Sequence, residues 1–281
     1  MTSGPVLTRQ IAILIDGGFF LRRLESLGLI QRNQGEDQIA MLVRRLARRH
    51  VQMLTRDYSR SWQRHIYRIF FYDAVPFNEV AHHPLMNQQI FYAKSDVARF
   101  RHAMFDRLRR ERNVALRLGE VIRHDDWIMP TAKLKPLLPT RDWFAGIDFE
   151  AIGEDGSLDL TPEQVNEAKR LKRKWGELSD NDVSLDLRQK GVDMRIGLDI
   201  AALALKRFIS TIVLVSGDGD FVPAAKLARR EGMQFILDPL WQPRKLDDLY
   251  EHIDGLQSGL PNPDAEARVP RRGDANEEDE D

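Results

Sequence analysis

The sequence predicts an α/β fold, a mainly parallel sheet with helices on both faces and an irregular insertion. Three observations carry that reading. Short apolar runs rich in β-branched and aromatic residues alternate with amphipathic helical stretches, the order that produces parallel sheets. Two of those runs, in IAILIDGG and IVLVSGDGD, hand over through Asp and Gly to a helical stretch. The segment from about 123 to 188 breaks the rhythm with Pro130, Pro136, Pro139, Trp127, Trp143 and a charged helix, so it reads as an insertion and not as part of the sheet.

Residues 8–15 (TRQIAILI) form the first expected strand, followed by a short helix over GGFFLRRLESLG that Gly28 closes. Gln38 to Leu54 has helical apolar spacing with a basic opposite face. HIYRIFFYDA, at about 65–74, is the second strand, ended by Asp73. A long amphipathic helix is expected over 86–112 and a third strand over 114–121. The helix DIAALALKRF is expected to begin at Asp199. TIVLVSG (211–217) is the fourth strand, a helix covers 221–231, and MQFILDPL (233–240) is the fifth strand after Gly232. KLDDLYEHIDGLQ reads as a last helix.

The chain has 281 residues, 42% hydrophobic and 30% charged, as in a soluble globular protein of one large or two small domains. No apolar run approaches the roughly 18 residues of a membrane span, so no membrane partner is expected. The absence of cysteine excludes disulfides, thiolate zinc sites and a cysteine nucleophile, and points to a cytoplasmic location. The net charge is −1, but it is unevenly spread. Arg44, Arg45, Arg48, Arg49 and His50 cluster in one helix, and Arg99, Arg101, Arg107, Arg109, Arg110 and Arg112 in another. These could form a nucleic-acid channel or simply a solvated face. Tyr67, Phe71, Tyr72 and Phe91 could stack bases but read more readily as core. DANEEDED makes the tail acidic, and residues 257–281 are expected to be disordered.

Five aspartates concentrate the chemistry: Asp16, Asp193, Asp199, Asp218 and Asp220. Strand ends of an open parallel sheet converge on one edge, the usual ligand crevice. Carboxylates gathered there repel one another, and a hard divalent cation, Mg²⁺ or Mn²⁺, is the common remedy. Gly17-Gly18 after Asp16 allows a sharp turn and close ligand approach. Asp16 could also be only a helix cap. The turn Ser216-Gly217-Asp218-Gly219-Asp220 can aim two carboxylates at one ion, and Ser216 could hold a phosphate oxygen. Asp220 could instead cap the helix that carries Pro223 in its first turn. Asp199 lies one helix and one turn before Asp218, which returns it to the same edge. Asp193 could be an ordinary surface residue, and Lys190 and Arg195 beside it could pair with carboxylates or contact phosphate.

Other sites are not supported. His65 and His82-His83 lack the spacing of an HExxH ligand pair, and there is no GxSxG elbow, Walker A loop or GxGxxG fingerprint. The Asp218 turn lacks the later glycine and glutamate of an EF-hand. A haloacid-dehalogenase-type phosphatase needs a second Asp where this chain has Gly18.

Together, IAILIDGGFF, FFYDA, QKGVDMRIGLDIAALAL, VLVSGDGDFVPAAKLARREG and LYEHIDGL resemble the NYN domain, a branch of the PIN-like nucleases, over about residues 8–256. The resemblance implies a Rossmann-like, PIN-like sheet of order 3-2-1-4-5 in a domain spanning 1–256, with the poorly matching insertion at about 123–188. It implies an Mg²⁺- or Mn²⁺-dependent ribonuclease leaving 5′-phosphate and 3′-hydroxyl ends. Asp16, Asp193, Asp218 and Asp220 fall in its acidic cluster, with Asp199 matching the helix-start Asp of related PIN domains. Many relatives carry Asn shortly after the first Asp-Gly, where this chain has Phe19-Phe20. That departure could alter substrate choice or weaken activity. PIN-like domains often pair, so a homodimer is open, as is a dimer or site-edge role for Trp127 and Trp143. The expectation is hydrolysis of RNA, structured RNA included, at the aspartate cluster. The alternatives are a non-catalytic RNA-binding or regulatory module of the same fold and a small-molecule phosphatase.

Overall fold

The strand β1 (Ile11–Asp16) lies in the middle of the sheet and is buried on both faces, which is why it reads as an unbroken apolar run. The computed structural model describes residues 10–153, 157–242 and 247–262. The other strands are β2 (Ile66–Val75), β3 (Val80–His83), β4 (Gln88–Phe91), β5 (Val114–Ile128), β6 (Ser184–Lys190), β7 (Thr211–Val215), β8 (Gln234–Asp238) and β9 (Gly255–Leu256). The helices are α1 (Gly17–Ser26), α2 (Glu36–Thr55), α3 (Asp96–Arg109), α4 (Thr131–Leu134), α5 (Pro139–Ala145), α6 (Pro162–Gly176), α7 (Val192–Lys206), α8 (Val222–Arg230) and α9 (Asp247–Tyr250).

The large sheet has the order β6-β5-β2-β1-β7-β8-β9 and is mostly parallel. Its five middle strands are those read from the sequence, and they stand in the order 3-2-1-4-5. Side chains alternate between two cores, as the two-residue strand period requires. Ile11, Ile13 and Ile15 join Ile69, Phe71, Val213 and Val215 under α1, α2 and α3. Ala12 and Leu14 join Phe70, Tyr72, Ile212 and Leu214 under α7 and α8. Each of the buried Ile, Leu and Val side chains among them contributes about 1.5–3 kcal/mol relative to exposure.

The chain divides into two compact units. The first comprises residues 1–78, 93–121 and 189–281 and contains both cores. The second comprises 79–92 and 122–188. It holds the antiparallel β3–β4 hairpin and α4 to α6, with Leu137, Ile147, Leu171, Val183 and Leu185 buried. Thr161 and Gln164 form a capping box at the start of α6, with Pro162 in the first turn. The Trp127 ring stands 4.7 Å from His83, and the Trp143 indole N–H donates to the Gln164 carbonyl at 2.8 Å, so both tryptophans have partners within this unit.

The stretch from about 123 to 188, expected to lie outside the sheet, supplies the end of β5 and most of the edge strand β6. Three further expected elements are corrected. The helix expected from Met86 begins at Asp96, where the Ser95 hydroxyl accepts from the Ala98 N–H at 3.2 Å; the residues before it form the β3–β4 hairpin. Asn87, at φ 52°, supplies the left-handed residue of that hairpin's turn. The helix expected to begin at Asp199 begins at Val192, after Gly191 at φ 78°, because Val192, Ile196, Ile200 and Leu203 already recur at helical spacing on its buried face. The last helix stops at Tyr250, and Gly255-Leu256 instead pair with β8 as an edge strand. Most of the tail expected to be disordered lies outside the described residues. Among those described, no helix is long and apolar enough to cross a membrane.

Candidate active site

Four neighbouring parallel strands run into an aspartate at the same edge. Asp73 belongs to β2, Asp16 to β1, Asp238 to β8, and Asp218 follows β7 by three residues. The register aligns Asp16 with Tyr72 and Val215 with Asp238, so adjacency follows from the sheet. The partners of the four differ. Asp73 is fully buried, paired with Arg101, and accepts the Ala74 N–H at 2.8 Å. Asp238 is fully buried against His50 Nε2 at 2.8 Å and also accepts the Leu240 and Gly259 N–H groups, each at 2.9 Å. Among the described residues, Asp16 and Asp218 receive only local backbone N–H groups, from Phe19 and Asp220, each at 3.0 Å. Those bonds make Asp16 the N-cap of α1 and Asp218 the cap of the turn Gly219–Phe221. The alternative of Asp220 as cap of α8 is not met, since Phe221 holds that N-cap position without a side-chain bond, and the Asp220 side chain stays exposed.

Burial is the main cause that pushes the Asp16 carboxyl above its ordinary range, and Asp193 and Asp73 push it further. The Phe19 N–H and the Arg22 guanidinium oppose the rise. Asp193, in the first turn of α7, is raised first by burial and then by Asp218 and Asp220. Asp16, Asp193, Asp218 and Asp220 thus share one negative field. Asp16 and Asp218 line a cleft of about 440 Å³, with Phe19, Arg22, Arg23 and Gln242 on its other walls.

The local sequence shapes that cleft. A Cβ on Gly17 would meet the Tyr72 carbonyl oxygen at 2.5 Å and the Phe71 ring at 2.7 Å, so glycine lets α1 leave β1 directly against β2. A Cβ on Gly217 would strike Gln242 and, at 2.5 Å, the Phe19 ring. Phe20 is fully buried edge-on to Phe71, with centroids 6.1 Å apart. Phe19 is nearly buried and contributes an apolar wall beside Asp16.

The other residues read from the sequence take varied places. Asp199 sits mid-helix, accepting from the Tyr72 hydroxyl at 2.8 Å and Arg117 Nε at 3.0 Å. Six residues separate it from Asp193, and at about 100° per residue that turns it to a different face of α7. Burial, followed by Asp199, pushes the Tyr72 hydroxyl far up, so it stays a donor. Ser216 is fully buried, and its hydroxyl accepts the Asp218 N–H at 3.2 Å, bracing the turn. Lys190, the last residue of β6, and Arg195, in the first turns of α7, are exposed, and the Lys190 carbonyl packs where a side chain on Gly119 would be. His50 leaves the basic cluster for the core, and Phe71 and Tyr72 are core residues. Asp73, Asp238 and Arg22 were not singled out as site residues. The signal for the two acids was present, since FFYD and FILD end as ILID does.

Residues 164–244 match the NYN domain family model. That is the family the motifs resemble. The NYN segment includes Asp193, Asp199, Asp218 and Asp220, while Asp16 lies before it. No curated protein matches the chain. Among solved structures, the chain is similar to a protein of unknown function from Vibrio parahaemolyticus RIMD 2210633, with 14% identity, a TM-score of 0.39, and coverage of 91% of this chain and 96% of that one.

NYN domains suggest nuclease-like chemistry and typically take divalent metals. Among the described residues, no three His, Asp or Glu side chains draw together as a cage for an ion. Mg²⁺ does not need one, because it keeps several waters and is commonly held by one or two carboxylates together with substrate phosphates. The all-oxygen donors Asp16 and Asp218, on one cleft, fit that requirement.

Proposed function

We propose that the chain is a metal-dependent ribonuclease that hydrolyses RNA phosphodiester bonds at the Asp16–Asp218 cleft. One observation carries the reading: of four strand-end aspartates, Asp73 and Asp238 are buried against Arg101 and His50, while Asp16 and Asp218 open on a cleft and, among the described residues, make no ion pair, with Arg22 and Arg23 on the cleft's walls. Asp16 and Asp218 would hold Mg²⁺ or Mn²⁺, which when bound acidifies a water and offsets phosphate charge. Asp193 and Asp220 would accept hydrogen bonds from the attacking water and orient it. Water adds its oxygen to phosphorus, the P–O3′ bond breaks, and a proton passes to the 3′ oxygen. Lys190 and Arg195 would meet phosphates, and Ser216 would act indirectly by holding the Asp218 turn. Asp199 would hold Tyr72 and Arg117 in place.

A second reading is a non-catalytic RNA-binding module, favoured by Phe19 where many NYN relatives carry Asn. The test is cleavage of labelled structured and single-stranded RNA with Mn²⁺, Mg²⁺ or EDTA. Metal-dependent cutting lost in Asp218→Asn supports the ribonuclease. Binding without cutting supports the module.

A further inference from the structure

The outer face of α2 carries four exposed arginines, Arg44, Arg45, Arg48 and Arg49, none with an ion-pair or hydrogen-bond partner among the described residues. The arginines of α3 make the contrast. Arg99 pairs with Asp96, Arg101 with Asp73, Arg107 with Asp37 and Glu111, and Arg109 with Asp106. Helical rise sets Arg44 and Arg48 in one row and Arg45 and Arg49 in the next, with about 6 Å along the axis between the members of each. The charge continues past the helix, where Arg56 and Arg60 are exposed. The one acid between them, Asp57, is engaged by Arg64 at 3.0 Å and His65 at 2.9 Å. Tyr58, in the same loop, is 60% exposed.

Unpaired like charges on adjacent turns repel, so a polyanion is the complementary partner. An anionic membrane is disfavoured by the same helix. An interfacial helix must free its apolar face to insert, and here Ile39, Leu42, Val43, Leu46 and Val51 are locked in the core. Guanidinium rows ending beside an exposed aromatic match the pairing of backbone contacts with base stacking used for single strands. The loop leads into the start of β2, and Arg44 lines a small cleft with Arg112 and Val114 at the start of β5. The basic face therefore reaches the sheet edge where strands begin, whereas the acidic cluster lies where they end. A strand as long as β1, six residues, sets those edges about 20 Å apart.

We propose that this face is an exosite for the phosphate backbone of a single-stranded RNA segment, with Tyr58 as a stacking position at its end. The proposal does not depend on hydrolysis. It is tested in the full chain carrying Asp218→Asn, by fluorescence anisotropy with a labelled single-stranded RNA over about 50 to 200 mM salt. Replacing Arg44, Arg45, Arg48 and Arg49 by Gln should weaken binding at least tenfold at the low-salt end. It should also flatten the slope of log affinity against log salt by about 3, near 0.7 per lost contact. Gln keeps helix propensity close to that of Arg, and an unchanged melting temperature confirms folding. Tyr58→Ala should weaken binding about fivefold or more and leave the slope unchanged. Arg99→Gln with Arg109→Gln, which removes charges already paired, should stay within twofold. An unchanged slope in the fourfold variant, an equal loss in the α3 control, or binding that moves from RNA to anionic vesicles overturns the exosite. If the chain with Asp218 intact never cuts RNA under any metal condition, loss of binding in the fourfold variant leaves the exosite standing and removes the ribonuclease.

Discussion

Asp16 and Asp199 both belong to the acidic set read from the sequence, yet their surroundings give them different work. Asp199 is already satisfied by Tyr72 and Arg117, while Asp16 accepts one backbone N–H, is pushed up by Asp193 and Asp73, and shares its cleft with Asp218. Asp199→Asn should therefore reduce cleavage by less than about tenfold, whereas Asp218→Asn should exceed the roughly 10–100-fold typical of supporting residues; parallel rate measurements on one RNA check this. Asp16 also links the site to pH. Its folded carboxyl is raised above the ordinary 3.8, so ionising it destabilises the metal-free fold. That penalty is absent below the ordinary value and is fully present once pH has risen through the raised one. Asn keeps the N-cap bond without the charge. Without metal, Asp16→Asn should melt with the wild type at acidic pH and above it as pH rises through the window, as melting curves at a series of pH values will show.

The elements explain why some of the architecture is legible and some is not. Strands buried on both faces appear as plain apolar runs, which makes β1, β2, β7 and β8 legible, while β5 is mostly half-buried and shows instead through the alternation of Val114, Leu116 and Leu118. The β3–β4 hairpin hides because its strands are only four residues each and partly exposed, so neither builds a clear period. The start of α7 hides because its first turn, Val192 to Arg195, looks like a continuation of the preceding turn, while the denser apolar stretch begins only at Ile200. Contact chemistry is less visible still. FFYD, ILID and FILD look alike, and only the crossing of α2 and α3 over the sheet decides that His50 and Arg101 partner two of the three. The α1 junction gives a direct test. Gly17→Ala forces a methyl into the Tyr72 carbonyl and Phe71 ring, which should cost about 1–3 kcal/mol by denaturant unfolding and reduce cleavage through the displaced Asp16.

Across the molecule, the sheet order follows from alternation and family resemblance together, and the edge that gathers the acids follows from strand direction. The second unit had little periodicity to read, because its packing rests on short helices, prolines and side-chain bonds such as that of Trp143. Two aspartates without an ion pair among the described residues, at the ends of neighbouring parallel strands, are expected to make a metal-dependent RNA-cutting site. The most direct test incubates purified protein and its Asp218→Asn variant with labelled RNA in Mn²⁺, Mg²⁺ or EDTA. The expected result is cutting in metal, none in EDTA, and loss in the variant. Equal cutting by both proteins, or RNA binding with no cutting under any metal condition, would contradict it.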